Sequence, residues 1–569
     1  MNTKEIFKQL TVGAVFKPER RKVALDSNLK SEIKVEDEIA EETTTPTNAV
    51  KKEKIFSEEK QKMLHVEKVN HIRNKYHINV HGTNPADPVE TFDELINDCA
   101  IPRQIVNNLI SCGYKEPTPI QMQAIPIMSS GKSLMACAPT GSGKTAAFLV
   151  PIIRDLKKPK NKGFRALILC PTRELAKQTQ RECQRLVDGI DLKVHTLNKI
   201  NQAEAKYGPK SNKQFDILIT TPNRVCFLLE KETPILDLSN VEWLVLDEAD
   251  KLFEEGKNSF RDQFNKIHAA CSSGKVKVGL FSATWTMPVS KWGKKNTNNL
   301  CTISIGQRNS ATDLVDQELL FVGNESGKMV AFRNMLREGL KPPVLVFVDS
   351  KDRAQQLYSE LIYDAINVDV IHADRTQQQR DDVVKNFREG KVWVLISTEL
   401  IGRGIDFLGV NLVINYDFPP SAISYIHRIG RTGRAGRKGK AITYFTQDDK
   451  PKLKSIANIL RNSGCKVPEY MLTFKKQSKK VRRKLEKTIP KRQDIAVQNP
   501  KQMLKKKGKF GKKTSGNDPK KGKQSNGKSK EKQENDTPGK FVKLPSKRKA
   551  PGSTENSLKV IKKKQKIVS

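Results

Sequence analysis

Three carboxylates, Asp247, Glu248 and Asp250, follow directly on the apolar run Trp243, Leu244, Val245, Leu246 in VLDEADKLF. One acid at such a place could be a helix start favoured by the helix dipole. Three in so short a stretch suggest a bound cation or a group to be activated. A second loaded stretch, APTGSGKT at 138–145, lies between the apolar SLMAC and the helical AAFLVPIIRDL. Its Gly141 and Gly143 allow backbone N–H groups to approach phosphate oxygens, Lys144 can neutralise the terminal phosphates, and Thr145 offers a hydroxyl to Mg²⁺. Ala138, Pro139, Thr140 and Ser142 complete the loop, with Ala138 standing where the general pattern has glycine. A triphosphate and its metal concentrate charge, so the acidic strand end is expected to face this loop. Asp247 and Thr145 would then hold Mg²⁺, mostly through water, and Glu248 would place the attacking water.

Such groups need a scaffold, and the flanking sequence supplies it. Short β-branched runs alternate with helical segments at SLMACAP (133–139), RALILCPT (165–172), FDILITTP (215–222), VEWLVLDEAD (241–250) and KVGLFSAT (277–284). A second series repeats the rhythm at PPVLVFVDS (342–350), VDVIHAD (368–374), VWVLISTE (392–399), NLVINYD (411–417) and KAITYFTQDD (440–449). The pattern predicts two tandem α/β domains, each a parallel sheet flanked by helices, with ligands at the carboxyl ends of the strands. The expected boundaries are an N-terminal extension over 1–90, partly helical or disordered, a first domain over 91–305, a linker at 306–315 where the polar GQRNSATD interrupts the pattern, a second domain over 316–470 and a tail over 471–569.

The length of 569 residues is too great for one core. Lys+Arg at 103 against Asp+Glu at 63 leaves a net charge of +40, which calls for a polyanionic partner such as RNA, DNA or an acidic membrane. The excess is concentrated: residues 475–569 hold 33 Lys/Arg against 7 Asp/Glu, or +26 of the total. That segment has only Phe510 and Phe541 as aromatics, too little apolar surface to offset the entropy of ordering, so it is expected to be disordered. Nine cysteines without a C-x-x-C pair fit neither a disulfide framework nor a zinc site and point to a reducing compartment. The start MNTKEIFKQLTVGAVFKPER lacks the apolar core of a secretion signal, and no run approaches the roughly 18 apolar residues of a membrane span. A soluble, intracellular protein without a membrane partner is expected.

The order of the motifs adds a further reading. APTGSGKT, then D-E-A-D at 247–250, SAT at 282–284 and HRIGRTGR at 427–434 together resemble a DEAD-box RNA helicase over residues 92–470. The resemblance implies two RecA-like domains, RNA-stimulated ATP hydrolysis and local strand separation or protein displacement. It implies that Gln121 of GYKEPTPIQ reads the adenine edge, with Tyr114 stacked near the base and Phe92 as the upstream aromatic. Ser282 and Thr284 would couple the DEAD carboxylates to closure of the two domains. Gly404 and Asp406 would face the ribose and phosphates together with His427, Arg428, Arg431 and Arg434, the last two as arginine fingers. Since these guanidiniums come from the second domain, hydrolysis would be tied to closure.

The same resemblance places an RNA track at further strand ends. It implies that Pro171, Thr172, Arg173, Glu174, Thr221, Pro222, Arg224, Arg353, Gln377, Arg380, Thr398 and Arg403 grip phosphates and sugars without reading base sequence. Four departures from the family pattern stand out: Asn223 in TPNR, HTLNKINQA without the usual glycine pair, Ala373 with Arg375, and Glu399 for an aspartate. The leader IFKQLTVGAVF and the segments at 70–95 and 398–419 are similar to a nucleolar branch of the family, which implies precursor ribosomal RNA processing, small-subunit assembly and contact with pre-ribosomal assembly proteins. Two basic clusters, Lys547 to Lys549 and Lys562 to Lys566, resemble a bipartite signal for nuclear import receptors. A monomer in the nucleus and nucleolus is expected. An ATP-gated RNA clamp is the alternative to an unwinding enzyme, and a DNA translocase a weaker one.

Overall fold

The computed structural model describes residues 58–495 except 198–199, 209–210, 254–259, 273, 275, 310–313, 400–406, 408, 435, 475–477, 479–480, 482–484 and 486–491. The leader at 1–57 and the tail from 496 onward, import signal included, therefore lie outside the described residues. Two sheets organise the rest. The first runs β1 (Ile78–His81), β2 (Leu134–Cys137), β3 (Ala166–Leu169), β4 (Val194–Thr196), β5 (Ile217–Thr220), β6 (Trp243–Leu246), β7 (Lys277–Ser282) and β8 (Cys301–Ile305) in chain order, and in space β1-β8-β2-β7-β6-β3-β5-β4. Every pairing in it is parallel except β1 with β8. The second sheet is wholly parallel, built from β9 (Val315–Phe321), β10 (Val344–Val348), β11 (Val368–Ile371), β12 (Val394–Thr398), β13 (Leu412–Asn415) and β14 (Gly439–Phe445) in the order β11-β12-β10-β13-β14-β9. Two parallel sheets flanked by helices are what the strand rhythm predicts, and the two-lobed RecA-like architecture is what the family resemblance implies.

The central strands of both sheets are buried on both faces, which explains why they are continuously apolar and do not alternate with polar residues. Along β3, Ala166 and Ile168 enter the core on one side and Leu167 and Leu169 the core on the other. In β10, Val344, Val346 and Val348 divide from Leu345 and Phe347 in the same way. The period of two therefore survives in where each residue goes, although hydropathy does not show it.

The structure moves three expected boundaries. Residues 58–90 belong to the first lobe: β1 pairs antiparallel with β8, and the helix Glu58–Lys75 buries Val69 and Ile72. Arg73 of that helix donates to Gln123 at 3.0 Å, so the helix is fastened to Pro119–Ser129. The expected linker reaches into the second lobe, because its last residue, Val315, opens β9. The tail is not wholly outside the fold, since residues 492–495 return to the second lobe with Ile495 buried. Short pieces such as INVH and a lone RQDI carry too little periodicity to be recognised; their partners are distant in sequence.

Arg165, at the foot of β3, is 1% exposed, ion-pairs with Asp216 at 2.7 Å and donates to the carbonyls of Leu156 and Lys158 at 3.0 and 2.8 Å. Arg165→Ala leaves a carboxylate buried without its cation and is expected to destabilise the first lobe by about 3–5 kcal/mol. The check is the urea midpoint of the first-lobe transition, and a midpoint equal to wild type would contradict the assignment.

Candidate active site

Three neighbouring strands, β2, β7 and β6, bring the nucleotide motifs to one edge of the first sheet. The loop after β2 starts with Ala138 donating its N–H to Ser282 O at 3.1 Å and ends with Gly143, the N-cap of the helix Lys144–Leu156. Gly141 and Gly143 have φ of +76° and +88°, a region in which a side chain is strained. A Cβ on Gly143 would also lie 2.5 Å from Gln121 Nε2. Gln121 itself donates to the Gly143 carbonyl at 3.1 Å and accepts from the Thr118 N–H at 3.0 Å. Lys144 Nζ donates to the carbonyls of Ala138 and Pro139 at 2.8 and 2.7 Å, and Thr145 follows in the first helical turn.

Opposite the loop, Asp247 is 4% exposed. Burial, then the neighbouring Glu248 carboxylate, push its pKa up to about 7, although Lys144 opposes the shift. Burial likewise lowers the Lys144 ammonium, while Asp247 works the other way. Glu248 has φ of +50°, a left-handed conformation unusual for a residue with a side chain. Its Oε2 is buried with no hydrogen-bond partner among the described residues, as is Ser142 Oγ. A lysine parked on carbonyls, an aspartate held uneasily in its charged form and an orphaned glutamate oxygen fit a site meant for a phosphate chain with a divalent cation. Among the described residues no three His, Cys, Asp or Glu gather as a ready metal cage.

The second lobe closes this edge. Its helix Ala422–Ile429 and the turn behind it place His427 Nε2 at 2.8 Å from Asp250 Oδ2 and Arg431 Nη2 at 3.6 Å from Glu248 Oε1. Asp250 Oδ2 also accepts from the Thr284 hydroxyl, and Ser282 Oγ donates to the Thr284 carbonyl at 2.8 Å, so the SAT turn and the second lobe meet on one buried carboxylate. Thr140 Oγ1 donates to the Gly430 carbonyl at 3.2 Å, and Arg434 Cγ lies 3.3 Å from where a Gly141 Cβ would be.

A second cross-lobe seam lies at the ends of β3, β5 and β11. Thr172 caps the helix Arg173–Leu186 after Pro171, and Thr221 precedes the helix Pro222–Leu229. Burial and the nearby Arg173 both lower the Arg224 pKa, so the two guanidiniums share one patch. Across from them Gln377 donates to Glu174 at 3.2 Å, Arg380 ion-pairs with it at 3.5 Å, and Lys177 meets Asp381 at 2.6 Å. Lys177 and Asp381 were not expected in the cleft, and two common charged residues on helices carry no signal that would have identified them. Thr398 closes β12 and is half-buried.

One expected residue is elsewhere. Arg353 is 7% exposed and spends its guanidinium on Asp417 and Glu325 at 2.7 and 2.9 Å, so it is a buried ion-pair partner and not a strand contact. Its place just after a strand end resembled the RNA loops, but the neighbouring acids come from other elements. Tyr114 directs its hydroxyl to Glu182 at 3.5 Å and packs its ring on the core; Phe92 opens the helix Phe92–Cys99, capped by Thr91. Arg403, Gly404 and Asp406 lie outside the described residues.

Comparison with known proteins agrees with this geometry. The chain matches the DEAD/DEAH box helicase family over residues 118–292 and the helicase conserved C-terminal domain over 327–436. It is 53% identical over 452 residues to "Probable ATP-dependent RNA helicase DDX52" of Rattus norvegicus, covering 79% of this chain and 75% of that one. With "ATP-dependent RNA helicase ROK1" of Saccharomyces cerevisiae it shares 41% over 458 residues, 79% of this chain and 80% of the other. Among solved structures it is similar to S. cerevisiae Dbp5 bound to RNA and ADP BeF3, with 26% identity and a TM-score of 0.57 over 69% of this chain and 99% of that one. Mss116p bound to ssRNA and AMP-PNP gives 26% and 0.59 over 68% and 82%.

Gly430→Ala would drive a methyl into Thr140 without straining the backbone, so it is expected to lower RNA-stimulated ATP turnover about tenfold while ATP binding by the first lobe persists, as equilibrium nucleotide binding would show. Asp247 gives a pH test. From its ordinary value of ~3.9 up to about 7 the folded protein keeps a proton that the unfolded chain releases, so this group's contribution to stability falls as pH rises through that window. Asp247→Asn should therefore melt several degrees above wild type at about pH 8, with the difference nearly gone at about pH 4. Parallel melting curves at both pH values would reject this origin of the shift.

Proposed function

The chain belongs to the DEAD-box family of ATP-dependent RNA helicases, and from that membership we propose that it remodels precursor ribosomal RNA during small-subunit assembly in the nucleolus. The observation that carries the ATPase part of this reading is one closure serving two sites. His427 and Arg431 reach Asp250 and Glu248 across the lobes while Gln377 and Arg380 reach Glu174 at the other end of the same cleft. An RNA strand that bridges the second seam thus favours the geometry of the first, and ATP does the reverse by linkage.

Within the pocket, Lys144 exchanges its two carbonyl partners for phosphate oxygens, and Gln121 remains beside the loop to meet the base. Asp247 and Thr145 would hold Mg²⁺, mostly through water, and the ion would supply neutralisation of phosphate charge. Glu248, with one oxygen free for water, orients the nucleophile. Arg431 stabilises charge developing on the terminal phosphate, a contribution of about 10³–10⁵ in rate for fingers of this kind. Asp250 does no chemistry; it ties Thr284 and His427 so that the finger arrives only on closure.

The cellular assignment is supported by the likeness to DDX52 and ROK1 proteins and by the +26 carried by residues 475–569, suited to holding RNA by counterion release. Import receptors reading the two C-terminal basic clusters, assembly proteins as partners and a monomeric state complete the reading. Unwinding is favoured over clamping because both curated relatives are described as helicases.

Glu248→Gln is expected to reduce RNA-stimulated ATP hydrolysis by at least ~10³ while ATP-dependent RNA binding remains, measured by phosphate release and by RNA retention. DNA of the same sequence should stimulate wild type poorly. Equal stimulation by DNA, or unaltered turnover in the glutamine variant, would overturn the ATPase reading, and crosslinking in cells that recovers no precursor ribosomal RNA would overturn the cellular one.

A further inference from the structure

Beyond the helix Glu469–Thr473 the chain comes back to the second lobe with Arg492, Gln493, Asp494 and Ile495. The Arg492 side chain is 4% exposed and meets four carboxylates: Asp349 at 3.0 Å, Asp449 at 3.2 Å, Glu325 at 3.3 Å and Asp417 at 3.6 Å. The rest of the segment is fastened as well. Arg353 donates to the Gln493 carbonyl at 2.7 Å, and Gln356 bonds both the Asp494 carboxylate and the Ile495 N–H, each at 3.0 Å. Ile495 completes one face of the lobe's core.

Charge explains why an arginine is needed there. Four acids, Glu325, Asp349, Asp417 and Asp449, converge at this end of the second sheet. Lys328, Arg353 and Arg428 oppose them from within the lobe, and Arg492 is the fourth cation. Glu399 and Lys452 add one charge of each sign at the rim. Burial alone would raise Asp417, yet Lys328, Arg353 and Arg492 hold it below the usual carboxylate range. Burial and Asp417 push Asp349 up, against Arg428 and Arg492.

Asp349 is shared. One oxygen faces Arg492 and the other lies 3.5 Å from Arg428 Nη2. Arg428 also donates to the Asp417 carbonyl at 2.8 Å and to Glu399 at 3.1 Å. It sits on the helix Ala422–Ile429, directly after His427 and three residues before Arg431, the two side chains that cross to Asp250 and Glu248.

We propose that residues 492–495 form a C-terminal clasp and that Arg492 is a positioning residue for hydrolysis: by sharing Asp349 with Arg428 it sets the helix that delivers His427 and Arg431 to the first lobe. The segment thus belongs to the ATPase machinery although it follows the last strand and helix of the lobe. This rests on the RNA-stimulated ATPase reading above and deepens it.

The test uses full-length protein with Arg492→Ala, Arg492→Lys and Ile495→Ala. Single-turnover hydrolysis with saturating RNA separates a rate constant, which reports finger placement, from an amplitude, which reports the folded fraction. Arg492→Ala is expected to lower the rate constant about tenfold with the KM for ATP within about twofold of wild type, since the first lobe holds the nucleotide. Arg492→Lys should recover part of the rate, and Ile495→Ala, which uncovers no buried charge, should lower it about threefold at full amplitude. A wild-type rate constant in the soluble fraction of Arg492→Ala, or in Ile495→Ala should the arginine variant not fold, overturns the proposal. Wild-type protein without RNA-stimulated turnover would instead sink the functional reading itself.

Discussion

One buried carboxylate, Asp250, holds the working geometry together. It is 3% exposed and receives the Thr284 hydroxyl from its own lobe and His427 from the other. An ionised acid in such surroundings is costly unless its oxygens are satisfied. With the lobes apart it would lose the His427 partner, while its own lobe still supplies the Thr284 hydroxyl and the Lys251 N–H, so His427 is the contact that closure adds. Glu248 and Arg431, 3.6 Å apart, sit next to this joint and share its geometry.

The first lobe is shaped for a ligand it cannot replace with its own groups. Asp247 is pushed toward neutrality, Glu248 is held left-handed with an unpartnered oxygen, and Lys144 rests on two carbonyls. Each of these is unfavourable in isolation and becomes favourable beside a metal-bearing phosphate chain. Local strain of this sort persists only where the surrounding fold over-determines it. Three parallel strands buried on both faces provide that rigidity, with their carboxyl ends at one edge.

The second lobe solves a different electrostatic problem. Its parallel strands end in Asp349 and Asp417, and the negative charge gathered there is matched by cations drawn from widely separated parts of the chain, Lys328, Arg353, Arg428 and Arg492. A buried network of this kind adds little net stability over an apolar core, but it specifies one arrangement because any missing member leaves a charge uncovered. Arg428 belongs to this network and sits beside His427, the side chain of the same helix that crosses to Asp250.

Much of this was legible in the amino-acid order. A strand buried on both faces is a short β-branched run whatever its neighbours, so the ten strands that carry the site stand out along the chain. A phosphate loop is local chemistry, needing glycines and a lysine at fixed spacing beside a helix start. Lys144 is thus recognisable where it stands, as are Asp247 and Glu248 at their strand end, whereas the HRIGRTGR arginines are recognisable through the family resemblance. Only the tertiary structure decided which charges meet. Arg353 and Arg380 both sit near strand ends, yet one is consumed by Asp417 and the other faces the cleft at Glu174. INVH became an edge strand only because β8 runs beside it, and Arg492 acquired a role only because four acids lay uncovered by three cations. Pairing energies of this kind depend on separation in space and on burial, neither of which a position in the chain encodes.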